Sequence, residues 1–265
     1  TEIYTLSLHD ALPILFPLLG LALRPLLTPM IGAELYLGML YLCALPATVQ
    51  SAIAFTSLAR GNIPAAVCSA AASSLIGIFL TPLLVLLLMG AQGEGGSTLD
   101  AIGKIVVQLL LPFIAGQIAR RWIGDWVARN KGWLKNVDQS SILLVVYTAF
   151  SHAVVEGIWQ QVPLPQLLGL VLACCLLLAL ALLSTWLIAR WLGFDLEDRI
   201  TILFAGSKKS LATGIPMAQV LFAGGALGTL ILPLMLFHQI QLMVCAVLAQ
   251  RYASRPETAT VAKAG

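Results

Sequence analysis

Charged residues are scarce in this chain of 265 residues, and their scarcity argues against a soluble fold. Only 10% of the residues are Asp, Glu, Lys or Arg, whereas a soluble domain carries roughly 25%. The mean hydropathy is +0.94, which is more apolar than a soluble core of this length requires. A lipid bilayer around the chain explains both values, so the sequence predicts an integral membrane protein.

Catalytic and cofactor motifs are also missing. The sequence has no phosphate-binding glycine loop, no paired catalytic carboxylates and no Ser/His/Asp constellation, so we expect no enzyme. The five cysteines all lie in apolar runs, where cysteine behaves as a small hydrophobe, and their spacing fits neither a disulfide framework nor a metal site. The net charge of +3 is too small to indicate a nucleic-acid partner.

Long uncharged runs take the place of these features. A helix that crosses the bilayer core needs about 20 apolar residues. Some of the runs are clearly long enough, others are short, and one contains two lysines. We therefore predict an all-α polytopic protein with about eight transmembrane helices, at residues 14–23, 35–59, 63–89, 105–119, 139–155, 164–189, 200–226 and 227–249.

The basic residues predict an orientation. If successive loops alternate sides, nearly all Arg and Lys residues fall on one side, and only Arg24 and Lys104 fall on the other. The positive-inside rule assigns the richer side to the cytoplasm. We therefore expect the Arg-, Lys- and Trp-rich segment 120–138 to be a cytoplasmic loop, and the C-terminus to be cytoplasmic.

The two ends differ from the apolar body at residues 15–250. Residues 1–10 are polar, and residues 1–14 are similar to translated adapter read-through, so we expect a non-native leader there; a native first helix with an irregular start is the alternative. Residues 251–265 are polar, and we expect a disordered cytoplasmic tail.

Two adjacent lysines are the main feature that lipid does not explain. Lys208 and Lys209 lie in the middle of the run 200–226, and a lysine at the bilayer centre costs about 2.5–3.5 kcal/mol on insertion scales. We predict that the helix breaks here, with Gly206, Ser207 and Ser210 in an unwound segment and with Gly214 and Pro216 as further breaks. The alternative is a loop between two short interfacial helices, which fits poorly because residues 200–205 cannot span alone.

A second interruption is predicted at Pro46, which is followed by Thr48, Gln50 and Ser51. Proline removes a backbone hydrogen bond, and nearby hydroxyl and amide groups can satisfy the freed carbonyls. Thr48-Val-Gln-Ser51 and Ser207-Lys-Lys-Ser210 share a pattern of hydroxyl, two residues and serine. Paired interruptions in the two halves of a chain indicate a transporter site at an inverted-repeat interface; the alternative at Pro46 is a simple kink.

Other polar residues allow two interpretations. His238, Gln239 and Gln241 could face the site, but hydrogen bonding between helices is commoner. Ser69 and Ser73 could ligate an ion or form a small-residue packing face.

The segments 45–62 and 206–218, together with Phe237-His-Gln-Ile-Gln-Leu-Met-Val-Cys245, resemble the bile acid:sodium symporter superfamily. Within it, the chain is similar to bacterial sodium-dependent transporters related to solute carrier family 10 member 7. The resemblance covers about residues 15–252. It implies ten helices in two inverted repeats of five, with two broken helices that cross. It also implies that the first two helices are missing from this chain.

The resemblance further implies sodium ligands on the first crossing helix, where Thr48, Gln50 and Ser51 are the candidates, and on the next helix, near Ser69 and Ser73. Sodium-coupled members carry a glutamate on the second crossing helix, but this stretch has no acid. We hypothesise that one lysine ammonium replaces a bound sodium ion, and a lysine that can lose its proton could couple transport to protons.

The function that follows is secondary active transport of a small organic anion, coupled to sodium or protons, in a bacterial inner membrane. The partners expected are lipid and the anion, with Na⁺ as the one inorganic ligand and no other cofactor. The alternative is a membrane regulator of ion homeostasis or a ligand sensor that does not transport.

Overall fold

The computed structural model describes residues 14–89, 103, 107, 111–155, 157, 160, 162–222 and 227–255. These residues are almost entirely helical. The helices, in chain order, are α1 Ile14–Ala22, α2 Arg24–Ile31, α3 Ala33–Ala44, α4 Val49–Leu58, α5 Ile63–Met89, α6 Leu111–Arg129, α7 Lys131–Val155, α8 Leu164–Trp191, α9 Leu196–Gly206, α10 Leu211–Leu221 and α11 Leu227–Ala253.

Within the described residues, three helices are long and apolar enough to cross a membrane, namely α5, α8 and α11. Two bent pairs, α1 with α2 at 66° and α3 with α4 at 67°, raise the number to five if each pair is one span. The prediction of about eight spans is therefore not confirmed. Helices α9 and α10 have 11 residues each, about 16 Å of helix, so each reaches only halfway across a bilayer of about 30 Å.

Helix α3 forms the centre of the fold. It is buried along almost its whole length and packs against α11 and α5, which agrees with a sequence that is apolar on every face. At Gly38 an added Cβ would lie 2.6 Å from the carbonyl oxygen of Leu230, so the close approach of α3 and α11 requires glycine. Helix α8 packs against α9 and α11.

The outward faces of the long helices are apolar as well. Phe79 and Leu87 on α5 and Leu172 on α8 are 55%, 70% and 64% exposed. Helices that are hydrophobic all round belong in lipid rather than water. The exposed side chains therefore mark the surface that the bilayer covers.

The predicted loop at residues 120–138 is wrong, because α6 and α7 run through it with a single turn residue at Asn130. The segment contains no proline, and Ala, Arg, Lys, Leu and Trp are all compatible with a helix. Its charges argue against a position in hydrocarbon, but they do not prevent helical structure.

The ends of the chain are described only in part. Ile14, the last residue of the expected leader, begins α1, and residues 1–13 lie outside the described residues. Helix α11 continues to Ala253, three residues into the segment expected to be a disordered tail. Residues 256–265 are also outside the described part.

Candidate functional site

Two helix interruptions meet in the interior. Helix α3 ends at Ala44 and α4 begins at Val49, while α9 ends at Gly206 and α10 begins at Leu211. The backbone N–H of Ser210 donates to the carbonyl oxygen of Pro46 at 3.0 Å. Both interruptions lie where the sequence predicts a break, at Pro46 and directly after Gly206. We call residues 45–48 and 207–210 together the crossing.

The first break follows from proline chemistry. Leu45, which precedes Pro46, has φ −71° and ψ 153°, the extended conformation that a following proline favours. Thr48 is also extended, and its hydroxyl shares a hydrogen bond of 2.7 Å with that of Ser51. The Pro46 ring packs on α5, where a Cβ at Gly77 would lie 2.6 Å from the proline Cβ.

The second break depends on serine hydroxyls at both helix ends. The Ser207 hydroxyl donates to the carbonyl oxygen of Leu203 at 2.6 Å, at the end of α9. The Ser210 hydroxyl accepts from the backbone N–H of Thr213 at 3.2 Å, which makes Ser210 the N-cap of α10. The two hydroxyls therefore form hydrogen bonds with the backbone at the end of α9 and at the start of α10.

Gly214 and Pro216 were also expected to break the helix, and this expectation is wrong because α10 continues through both to Leu221. A proline inside a helix removes one backbone hydrogen bond and can be accommodated when packing holds the helix. Gly214 instead permits close packing: its carbonyl oxygen accepts from the Tyr41 hydroxyl at 2.6 Å, and an added Cβ would lie 2.5 Å from Leu45 Cδ1.

Lys209 joins the two broken helices through its side chain. Its ammonium donates to the carbonyl oxygens of Cys43 at 3.0 Å and Leu45 at 2.6 Å, which are orphan acceptors at the C-terminal end of α3. The Lys209 Nζ also lies 4.3 Å from the ring centroid of Phe16. Lys209 is 3% exposed, so these contacts replace its hydration.

Lys208 reaches the other side of the same break. Its ammonium donates to the carbonyl oxygen of Ser51 at 2.8 Å, in the first turn of α4. It lies 3.9 Å from the ring centroid of Phe55 and 5.4 Å from that of Phe204, so cation–π attraction accounts for part of its stabilisation. Lys208 is 1% exposed.

No carboxylate in the described part of the chain forms an ion pair with either lysine. Buried charges are normally paired or bound to several polar groups. Here the compensation comes from backbone carbonyl oxygens and aromatic faces. This arrangement resembles the coordination of a cation by an unwound helix.

Gln241 on α11 fixes the backbone at Lys209. The Lys209 N–H donates to Gln241 Oε1 at 2.9 Å, and Gln241 Nε2 donates to the Lys209 carbonyl oxygen at 2.9 Å. The same Nε2 lies 2.8 Å from His238 Nδ1. Gln241 is fully buried. Because this one amide satisfies both the N–H and the carbonyl oxygen of an unwound residue, Gln241 holds the crossing in place from α11.

A cavity of about 30 Å³ lies beside the crossing. Lys208 and Lys209 line it together with three candidates from the sequence, Thr48, Ser69 and Ser73. The Ser73 hydroxyl accepts from the backbone N–H of Ala47 at 3.2 Å. The Ser69 hydroxyl is buried without a hydrogen-bond partner.

One candidate lies elsewhere. Gln50 is exposed, and its Nε2 donates to Asp138 Oδ2 on α7 at 2.6 Å. Residues 48–51 are the first turn of α4, so neighbouring side chains leave the helix in different directions. The sequence pattern could not distinguish Gln50 from Ser51, which contacts Lys208 through its carbonyl oxygen.

The chain matches the SBF-like CPA transporter family over residues 9–254. It belongs to this family. The resemblance to the bile acid:sodium symporter group is thereby confirmed, and the protein is a multi-pass membrane protein of a transporter family.

Individual proteins are similar to this chain over most of its length. An uncharacterized protein of Pseudomonas aeruginosa is 71% identical over 251 residues, 95% of this chain and 75% of that protein. The Escherichia coli protein named "Putative symporter YfeH" is 59% identical over 244 residues, 92% of this chain and 73% of that protein. Mouse "Sodium/bile acid cotransporter 7" is 30% identical over 249 residues, 93% of this chain and 71% of that protein.

Proposed function

We propose that this SBF-like protein carries a small organic anion across the membrane by secondary active transport, with one lysine ammonium in the place of a bound sodium ion. The proposal rests on two hydrogen bonds, from the Lys209 ammonium to the carbonyl oxygens of Cys43 and Leu45. In transporters with broken helices, unwound carbonyl oxygens coordinate the coupling cation.

The positive charge of the crossing supports an anionic substrate. Lys208 and Lys209 are adjacent, and the N-terminal end of α10 begins at Leu211, where the helix dipole is positive. Half-helix N-termini in transporters point at anionic groups of the substrate. The names of the relatives from Escherichia coli and mouse, a symporter and a sodium/bile acid cotransporter, support ion-coupled transport.

The coupling ion in this proposal is sodium or a proton. Lys209 already occupies two carbonyl oxygens that a sodium ion would need, and a permanently attached cation cannot be exchanged. A lysine that releases its proton during the cycle would couple the substrate to protons instead. Uptake driven by a sodium gradient or by a proton gradient, measured separately, distinguishes the two.

The test is counterflow of labelled organic anions in proteoliposomes, with the unaltered protein, Lys208→Ala, Lys209→Ala and the exposed control Lys135→Ala. We expect uptake by the unaltered protein and by Lys135→Ala. We expect loss of uptake, or loss of a monodisperse folded protein, in the two site variants. Normal sodium-stimulated uptake in both site variants would contradict the role of the lysines, and binding without any counterflow would favour a sensor.

We further propose a bacterial inner-membrane location with a cytoplasmic C-terminus, because the basic residues concentrate on one predicted side. A C-terminal alkaline phosphatase fusion should be inactive, and a C-terminal green fluorescent protein fusion should be fluorescent. The reverse pair of results would overturn the orientation.

A further inference from the structure

The charges at the crossing are unbalanced. Lys208 and Lys209 contribute two buried ammonium groups, and the described residues supply no carboxylate to pair with them. Carbonyl oxygens and aromatic rings contribute partial negative charge, but they leave the net charge unchanged. In a low-dielectric interior, protonated lysines without a paired carboxylate favour the binding of an anion.

The two lysines differ in their remaining capacity to donate. An ammonium has three N–H donors. The Lys209 ammonium makes hydrogen bonds to two carbonyl oxygens and faces the Phe16 ring. The Lys208 ammonium has one oxygen acceptor, on Ser51, and faces two aromatic rings. Because an anion is a stronger acceptor than an aromatic face, the Lys208 ammonium can donate to an anion, and Lys208 lines the cavity beside the crossing.

The lining of this cavity also includes serine hydroxyl groups that can donate. Ser69 is 2% exposed, and its Oγ has no hydrogen-bond partner. Ser73 lies one turn further along α5, and its Oγ accepts from Ala47, which leaves the hydroxyl proton available. A buried hydroxyl without a partner is uncommon and requires an explanation. Both serines line the same cavity as Lys208.

We propose that the cavity beside the crossing binds one small monovalent anion, a halide ion or a carboxylate group, held by Lys208 and by the hydroxyls of Ser69 and Ser73. The inference deepens the proposed function and rests on it, because the anion occupies the crossing that is assigned to transport. A cation is disfavoured, since the Lys208 ammonium lines the cavity and Lys209 already binds two nearby carbonyl oxygens.

The size of the cavity limits the ligand. A volume of about 30 Å³ holds roughly two water molecules, since each water needs about 10–15 Å³. A halide ion or the oxygens of one carboxylate group therefore fit in this space. A larger substrate would place only its charged end in the cavity.

The test measures thermal unfolding of the purified protein in detergent at constant ionic strength, in sodium methanesulfonate, sodium chloride, sodium bromide, sodium formate and choline chloride. We expect chloride, bromide or formate to raise the midpoint temperature by about 3 °C over methanesulfonate, which is neither a halide nor a carboxylate, and the effect should saturate with concentration. Sodium chloride and choline chloride should act equally. A halide effect alone indicates an inorganic ion, and a formate effect alone indicates the carboxylate of the substrate.

Three variants make the assignment specific. Ser69→Ala should lose most of the shift relative to its own methanesulfonate baseline. Ser69→Asp should lose it too, because the introduced carboxylate occupies the cavity. Ser74→Ala is the matched control: its hydroxyl bonds Ala70 within α5, and the full shift should remain.

The proposal is overturned if no anion raises the midpoint, if the shift follows sodium, or if Ser69→Ala and Ser69→Asp keep it, since water would then fill the cavity. This failure differs from failure of the proposed function. Counterflow without an anion shift would remove the anion site and leave transport, whereas an anion shift without counterflow would remove transport and leave the site.

Discussion

The ammonium of Lys209 donates to the carbonyl oxygen of Leu45 at 2.6 Å, although the two residues are 164 positions apart in the chain. The bond connects the end of one broken helix to the interruption of the other. It satisfies a carbonyl group that the end of α3 leaves without a helical partner, and it stabilises a charge that hydrocarbon would otherwise exclude. Each interruption therefore depends on the other.

Gln241 provides the first prediction. Replacement by leucine removes the hydrogen bonds to both the N–H and the carbonyl oxygen of Lys209, so Gln241→Leu should lower the free energy of unfolding by about 3 kcal/mol. Gln239→Leu is the control, because Gln239 lies on the same helix and is exposed. Thermal unfolding in detergent measures both. Equal midpoints for the two variants would show that the Gln241 amide does not hold the crossing.

The second prediction concerns the close packing of α5 on Pro46. At Gly77, an added Cβ would lie 2.6 Å from the Cβ of Pro46, so Gly77→Ala must displace α5 from the crossing and should destabilise the protein by about 1–3 kcal/mol. At Gly116 on α6, an added Cβ meets nothing within 4 Å, and alanine favours a helix. Gly116→Ala should therefore be neutral or slightly stabilising. A Gly77→Ala protein as stable as the Gly116→Ala protein would contradict this packing.

The third prediction concerns the turn after α4. Asn62 Nδ2 donates to Asp198 Oδ1 at 2.8 Å, and the Asn62 N–H donates to the Thr201 hydroxyl at 3.0 Å. Asp198 is 3% exposed. Asp198→Ala should leave the Asn62 amide group unsatisfied and lower the free energy of unfolding by about 2 kcal/mol.

The control for this turn is Asn136→Ala, at an exposed position on α7. Hydrogen exchange followed by mass spectrometry should show faster exchange at residues 59–66 in Asp198→Ala than in Asn136→Ala. Unchanged protection of that turn would show that Asp198 does not connect α4 and α9.

The sequence predicted the crossing better than it predicted the spans. Lys208, Lys209 and Pro46 each conflict with a continuous helix in lipid, and such conflicts are local enough to identify without coordinates. The extent of α6 and α7 was missed because charge indicates where a segment lies and not whether it is helical. The shared four-residue pattern indicated the pairing of the two interruptions, and the family resemblance strengthened it, since so short a pattern also recurs by chance.

The rest of the site depends on tertiary packing that leaves no signature in the sequence. Phe16, Phe55 and Phe204 face the ammonium groups, but they cannot be distinguished by sequence from other aromatic residues in apolar helices. For the same reason, the sequence could not decide whether Gln241 faces the site or forms an ordinary interhelical hydrogen bond. Gln50 faces Asp138 because of its direction on α4, which a motif cannot specify.

The most direct test of the central claim replaces the attached cation with a free one. Thermal unfolding of the unaltered protein and of Lys209→Ala should be compared in sodium chloride and choline chloride at constant chloride. We predict that the unaltered protein is indifferent to sodium, because Lys209 occupies the carbonyl oxygens of Cys43 and Leu45. Lys209→Ala should be less stable in choline and recover by about 3 °C in sodium. Sodium stabilisation of the unaltered protein that persists unchanged in Lys209→Ala would contradict the claim.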